Sequence, residues 1–295
     1  MEKLVRFDWA IKKLLRNKAN FDILDGFLSA LLHNDVKVIN LLESESNQED
    51  EMDKFNRVDL LVENAQHDLI IIEVQVKSEP DFFHRIVYGT SKLLAEHLEK
   101  GQSYQNIKKI ISISIVYFEL GKGTDYLYHS STDFVGVHNQ ETLSLTENQK
   151  RLFGFQEVKQ IFPEYYLIRV GNFADKINEA LDEWIYMLKH SEIKPTFKAK
   201  NIQHVAEKLR VMNLKPEQQK AYDRFMDNMS YQASMLWSSK EEGRLEGRLE
   251  GQKEGIEKGK QEIVKNSLQQ GLDLTIIASI TGLSIEEIRT IRDEI

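Results

Sequence analysis

The apolar positions of this chain change period along its length, and each change predicts an element. In residues 20–33, Phe21, Leu24, Phe27, Leu28, Leu31 and Leu32 recur at spacings of three and four, which predicts an amphipathic helix with Asn20 at its N-cap. Residues 36–42 alternate enough for a strand. Residues 58–62 and 69–77 are β-rich apolar runs on either side of a polar break, residues 63–68, and predict a hairpin. After Pro80, Asp81 can open a helix to about Glu99 that buries Phe82, Ile86, Leu93, Leu94 and Leu98, with Gly101 as its stop. Residues 110–118 are too apolar for a half-wet strand and belong in the middle of a sheet covered on both faces. Further strands are expected at residues 133–137 and 165–170, and a helix at 173–188 with Ile177, Leu181, Trp184 and Leu188 on one face. Strand, helix and buried strand in succession indicate an α/β layer architecture.

Past Pro195 the pattern becomes helical and charged, with Val205, Leu209, Met212 and Leu214 before Pro216 and a helix to about Trp237. Glycine then recurs every fourth residue at Gly243, Gly247, Gly251, Gly255 and Gly259. On a helix of 3.6 residues per turn this makes a smooth ridge, at a cost of about 0.8–1.0 kcal/mol per glycine relative to alanine. A self-associating or partner-docking helix and a flexible charged spacer both fit. Residues 276–288 read as two short helices around Gly282, the second opened by a Ser284/Glu287 capping box. Such a pair occurs in helix-turn-helix DNA readers and as plain packing, and Glu286, Glu287, Asp293 and Glu294 weigh against DNA reading.

Composition narrows the classes. The 295 residues, 41% of them hydrophobic, suffice for a sizeable core, and with no cysteine there is neither a disulfide nor a thiolate metal site. The sequence contains no apolar run of the roughly 18–20 residues that span a bilayer, and its opening has no secretory pattern, so a cytoplasmic protein without membrane contact is expected. The net charge of −8 is unevenly spread: residues 43–53 are acidic without a base, whereas residues 189–220 carry eight Lys and Arg, among them Lys189, Lys200 and Lys208. That basic segment is either a solvated surface or a contact for a phosphate backbone. Paired histidines at metal spacing, a serine-nucleophile elbow and a phosphate-cradling glycine loop are all absent from the sequence.

The hairpin carries the chemistry. Folding about Gln66 sets Asp59 opposite Glu73, and alternation puts Gln75 and Lys77 on the same side. Like charges about 4.5–5.5 Å apart at Cβ repel, and a hard divalent cation removes that repulsion. Two acids, an amide and an amine could hold a metal, orient a water and steady a developing negative charge. Solvated acids near strand ends are the alternative that the pattern leaves open.

An aspartate, a hairpin and then Glu-x-Gln resemble the PD-(D/E)XK nuclease superfamily, in particular its Rpn-type branch of recombination-promoting nucleases and transposases. Residues 7–15 (FDWAIKKLL), 21–32, 83–93, the Gly101-x-x-Tyr104 step and the strand 110–118 also resemble that branch, so the likeness covers roughly residues 1–170 in order. It implies a restriction-endonuclease-like mixed central sheet flanked by helices, with a helical C-terminal extension. The organisation expected is a nuclease core at residues 1–190, a basic helical region at 191–238, the glycine-repeat helix at 239–263 and a small helical hairpin at 264–295.

The implied activity is metal-dependent DNA endonuclease action, with Mg²⁺ or another divalent cation such as Mn²⁺ or Ca²⁺ as cofactor and DNA as partner. Asp59 and Glu73 would be its ligands, and Asp25 on the first long helix a third acid. Gln75 stands where many relatives carry Lys and would orient the attacking water, with Lys77 supplying the missing charge. Arg85 and Tyr88, one turn apart as in relatives, are candidate substrate contacts; pairing of Arg85 with a local carboxylate is the alternative. A weakly catalytic DNA-binding or oligomeric assembly protein, joined through the glycine-repeat helix, is the rival reading.

Overall fold

The computed structural model describes residues 4–42, 59–97, 103–211 and 214–293. The acidic run at 43–53, Val58, the expected helix end at Leu98 and Glu99, Gly101, Met212 and Glu294 lie outside the described residues. The chain forms two compact units, Met1–Tyr222 and Asp223–Ile295.

The first unit is a mixed six-stranded sheet in the order β1-β2-β3-β4-β6-β5, flanked by helices. Its strands are β1 (Val38–Leu42), β2 (Leu60–Asn64), β3 (Leu69–Gln75), β4 (Ile110–Val116), β5 (Leu127–Ser130) and β6 (Glu164–Arg169). The pairs β1/β2, β2/β3 and β5/β6 are antiparallel, while β4 lies parallel between β3 and β6. Every residue of β4 is buried, as its unbroken apolar run predicts for a strand covered on both faces.

Asn20 precedes α2 (Phe21–Leu32) at the expected position, but its side chain makes no cap and donates instead to the Leu14 carbonyl at 2.8 Å. The helix buries Phe27 against Phe7 of α1 (Phe7–Lys13) and against Trp184 of α5 (Ala180–His190), at ring-centroid distances of 6.1 and 5.9 Å. Gly26 makes this packing feasible, because a Cβ there would lie 2.3 Å from the Lys200 carbonyl oxygen and 2.7 Å from the Trp184 ring. The sheet face carrying Leu61, Leu69 and Ile71 packs against Leu93 of α3 (Phe82–Glu96). A short helix, α4 (Glu147–Phe153), lies between β5 and β6 in sequence.

Two expectations fail here. Residues 133–137 form no strand, and Val135 makes only an isolated bridge to Thr142; the edge strand is β5, whose half-exposed Leu-Tyr-His-Ser lacks a run long enough to stand out. The helix expected from residue 173 starts at Ala180, where the Glu179 side chain bonds the first-turn backbone and Asp182 reaches back to close the cap.

α6 (Ile202–Lys208) packs on α2, and α7 (Pro216–Gln269) runs on through the glycine repeat without a break. A Cβ added at Gly243, Gly247, Gly251, Gly255 or Gly259 would meet open space. In the second unit the end of α7 joins α8 (Leu274–Thr281) and α9 (Ile285–Asp293) around Val264, Ile277, Ile288 and Ile291. The Ser284/Glu287 box forms as expected, with Glu287 N–H donating to Ser284 Oγ at 3.2 Å and Ser284 N–H to Glu287 Oε2 at 2.7 Å. Among the described residues no helix is long and apolar enough to cross a membrane.

Candidate active site

The hairpin folds in the register that a turn about Gln66 predicts: Leu60 pairs with Ile72, Leu61 with Ile71 and Glu63 with Leu69. Its turn is closed by Asn64, whose Oδ1 accepts the N–H groups of Gln66 and Asp68 at 3.0 and 2.8 Å, with His67 at φ 66°. Extended by one residue, the register sets Asp59 against Glu73 at the open end. There Asp59 Oδ2 accepts the Val74 N–H at 2.8 Å, and the Asp59 carbonyl accepts from Arg16 at 3.2 Å.

Glu73 is 7% exposed. Burial pushes its carboxyl above the usual range and the charge of Asp59 adds to that, while Arg85 pulls the other way. Arg85, in the first turn of α3, holds two carboxylates at once: it donates through Nη2 to Glu73 and through Nη1 to Glu79 at 2.7 Å. Gln75 completes the cluster by donating its amide to the other oxygen of Glu79. Between the two readings of Arg85, the structure shows the carboxylate pairing.

Several expected members are not brought together. Asp25 is buried, and both its oxygens are engaged: Oδ1 accepts the Val38 N–H and Oδ2 the Lys37 ammonium, each at 2.7 Å. Val38 pairs with Asn64 at the turn end of β2, so Asp25 stands about five residues of strand, roughly 16 Å, from Asp59. In this arrangement Asp25 ties β1 to α2 and is not brought to the Asp59/Glu73 pair. Lys77 lies beyond the end of β3, exposed and with no ion-pair partner among the described residues. Tyr88 is 52% exposed one turn after Arg85, and its hydroxyl has no hydrogen bond among the described residues. Much of the basic segment is engaged within the chain, with Lys189 on Asp175, Lys200 on Asp35 and Lys208 on Asp22.

Glu79 and Arg16 are the members that sequence reasoning missed. Glu79 sits in the loop before Pro80, where no periodicity marks it, and only the entry of Arg85 from α3 shows its role. Arg16 follows α1 and reaches Asp59 through its backbone, a contact that no side-chain pattern announces.

The donor set suits a hard cation: two adjacent carboxylates with an amide two residues on offer oxygen ligands only. Among the described residues no cluster of three His, Asp or Glu could hold a metal ion, so water and a substrate phosphate oxygen would complete the shell. Glu73 would have to part from Arg85 to take up a cation.

A mixed sheet flanked by helices, with an acid pair at the mouth of a central hairpin, defines a restriction-endonuclease-like fold. The family profile described as PD-(D/E)XK nuclease family transposase matches residues 5–236, and the chain belongs to this family. Membership supports a nuclease-type function. Comparison with curated proteins and with solved structures gives no match.

Proposed function

We propose that the protein is a metal-dependent DNA endonuclease that hydrolyses phosphodiester bonds at the open end of the β2/β3 hairpin. One observation carries this: a buried carboxylate, Glu73, lies across from Asp59 in a register where two like charges meet, with a guanidinium bridging out to Glu79. Such an arrangement costs stability unless a cation or substrate uses it. Mg²⁺, or Mn²⁺ or Ca²⁺ in its place, would be held by Asp59 and Glu73 and would lower the pKa of a bound water while drawing charge off the scissile phosphate.

The chain's own groups do the rest. Gln75 accepts a hydrogen bond from the attacking water through its amide oxygen and is held in place by the hydrogen bond that its amide N–H donates to Glu79. Arg85, once off Glu73, remains tethered by Glu79 and turns its free edge to the phosphate, whose geometry a guanidinium matches with two hydrogen bonds. Lys77, exposed beyond the strand end, adds positive charge to the mouth, and Tyr88 lines it on α3.

A rival reading is favoured by the same ion pair. If Arg85 keeps Glu73 when substrate is present, the protein binds DNA without cutting it, and the exposed Leu245, Leu249 and Ile256 beside the glycine ridge of α7 serve assembly with a second copy. Nicking of supercoiled plasmid with and without Mg²⁺, with Asp59→Ala as control, separates the two. Metal-dependent nicking lost in the variant supports the endonuclease; intact plasmid with Mg²⁺, Mn²⁺ and Ca²⁺ supports the binding protein.

A further inference from the structure

α3 covers only part of its sheet face. Toward the β5 edge it leaves an open groove of about 360 Å³ lined by Phe83, Ile86 and Val87 from the helix and by Ser114, Tyr128 and Tyr165 from the sheet. The register ties this groove to the acid pair. Glu73 pairs with Ser114, Ser114 with Leu167, and Leu167 with Tyr128, so one row of side chains on one face crosses from β3 to β5. Neighbouring strands lie about 4.8 Å apart, which places Ser114 one step from Glu73 and the Tyr128 wall roughly 14 Å away. The same α3 that brings Arg85 to Glu73 turns Phe83 and Val87, 50% and 56% exposed, to the groove.

Ser114 contributes a hydroxyl to the lining of the groove. The residue as a whole is 2% exposed, and it lines the groove. A ligand with a polar edge could bond this hydroxyl in place of water, whereas an aliphatic side chain seated here would cover it without a bond. Phe83, Tyr128 and Tyr165 put aromatic side chains in the lining, and aromatic rings favour a flat ligand.

We propose that this groove holds one unpaired nucleobase of the DNA strand being cut, stacked on the aromatic wall with its edge bonded to Ser114. The proposal rests on the endonuclease reading and names its substrate class: single-stranded DNA, a flap or a frayed end. A base within an intact duplex is stacked on both sides and must be extruded before it can enter. Continuity with the acid pair decides between occupants, because a ligand seated one strand from Glu73 must be attached to whatever Asp59 and Glu73 act upon.

The test uses the full chain in EDTA, so that binding is read without cleavage. A single-stranded oligonucleotide carrying 2-aminopurine is compared with a fully paired duplex of equal length at one salt concentration, for wild type, Phe83→Ala and Ser114→Ala. The expected result is quenching of the 2-aminopurine and single-strand binding about tenfold tighter than duplex binding. Phe83→Ala should lose about tenfold in single-strand affinity with duplex affinity unchanged, since stacking on one aromatic contributes at that level. Val87→Asp, at an exposed helix position, repeats the measurement should Phe83→Ala fold poorly. Equal binding of both DNA forms, absent quenching, or an unchanged single-strand affinity in Phe83→Ala and Val87→Asp would overturn the proposal. So would sedimentation showing a dimer that Val87→Asp dissociates, which would give the groove to a second copy. Quenching by a protein that nicks nothing would uphold the groove and fail the endonuclease; nicking without quenching would do the reverse.

Discussion

The two ends of the β2/β3 hairpin carry carboxylates on the same sheet face, yet their electrostatics run in opposite directions. At the turn end Glu63 accepts from Lys108 at 2.9 Å, from Asn40 at 3.1 Å and from His67 at 2.9 Å. Those bonds, led by the one from Lys108, bring its pKa down to about 2. At the open end Glu73 is equally hidden from solvent but faces a second acid, and burial takes its carboxyl upward despite Arg85. Among the described residues Glu63 has three donors converging on it and no opposed acid, which is how an ion cluster supports a fold. Among the described residues Glu73 has one donor, Arg85, which it shares with Glu79, and it opposes Asp59, an arrangement more common at functional sites than in structural ion clusters.

The largest effect that would break this comparison is on cleavage. Glu73→Gln should lower metal-dependent nicking by about 10²–10³-fold or more, whereas Glu63→Gln should leave it within about twofold. Plasmid assays with the two variants side by side read this directly, and comparable losses in both would erase the distinction between the ends.

Arg85→Ala comes next. Releasing Glu73 should strengthen Mg²⁺ binding in a calorimetric titration, while loss of the phosphate contact lowers cleavage by about 10–100-fold. Weaker metal binding in this variant would mean that Arg85 positions Glu73 for the cation instead of competing with it.

Stability and pH sharpen the comparison further. Glu63 has a depressed folded pKa, so its contribution is present above the ordinary carboxylate value and is lost as pH falls from about 4.5 toward about 2. Glu63→Gln should therefore cost about 1–2 kcal/mol near neutrality and nearly nothing at about pH 2. For Glu73 the sign reverses: its raised pKa means that the protonated form suits the fold, and its contribution is lost as pH rises through the folded value. In denaturant titrations Glu73→Gln should match wild type in acid and gain on it toward pH 7, and metal binding by wild type should strengthen over the same range. The smallest effect is that of Lys108→Ala, about 1 kcal/mol in the same titrations, because Asn40 and His67 keep two bonds to Glu63.

Local patterns made much of this molecule legible. The unbroken apolar run of β4 marked a strand buried on both faces, the three-and-four spacing of Phe21 to Leu32 marked α2, and the polar break about Gln66 set the hairpin register and with it the facing of Asp59 and Glu73. Each depends on periodicity or on a turn a few residues long, so the information is local. The β5 edge escaped because a four-residue, half-exposed strand has too little apolar contrast, and its pairing with β6 lies far along the chain.

What sequence alone determined was therefore the α/β class, the hairpin and the acids it sets face to face. Tertiary structure decided who else joins them. It sent Asp25 to anchor β1 some 16 Å away by strand geometry, brought Arg85 from a separate helix to bridge Glu73 and Glu79, and opened a groove along the row from Glu73 to Tyr128. Those outcomes follow from how α2 docks beside β1 and α3 on the β3/β4 part of the sheet, and docking depends on packing between residues distant in the chain, which no spacing within a segment encodes.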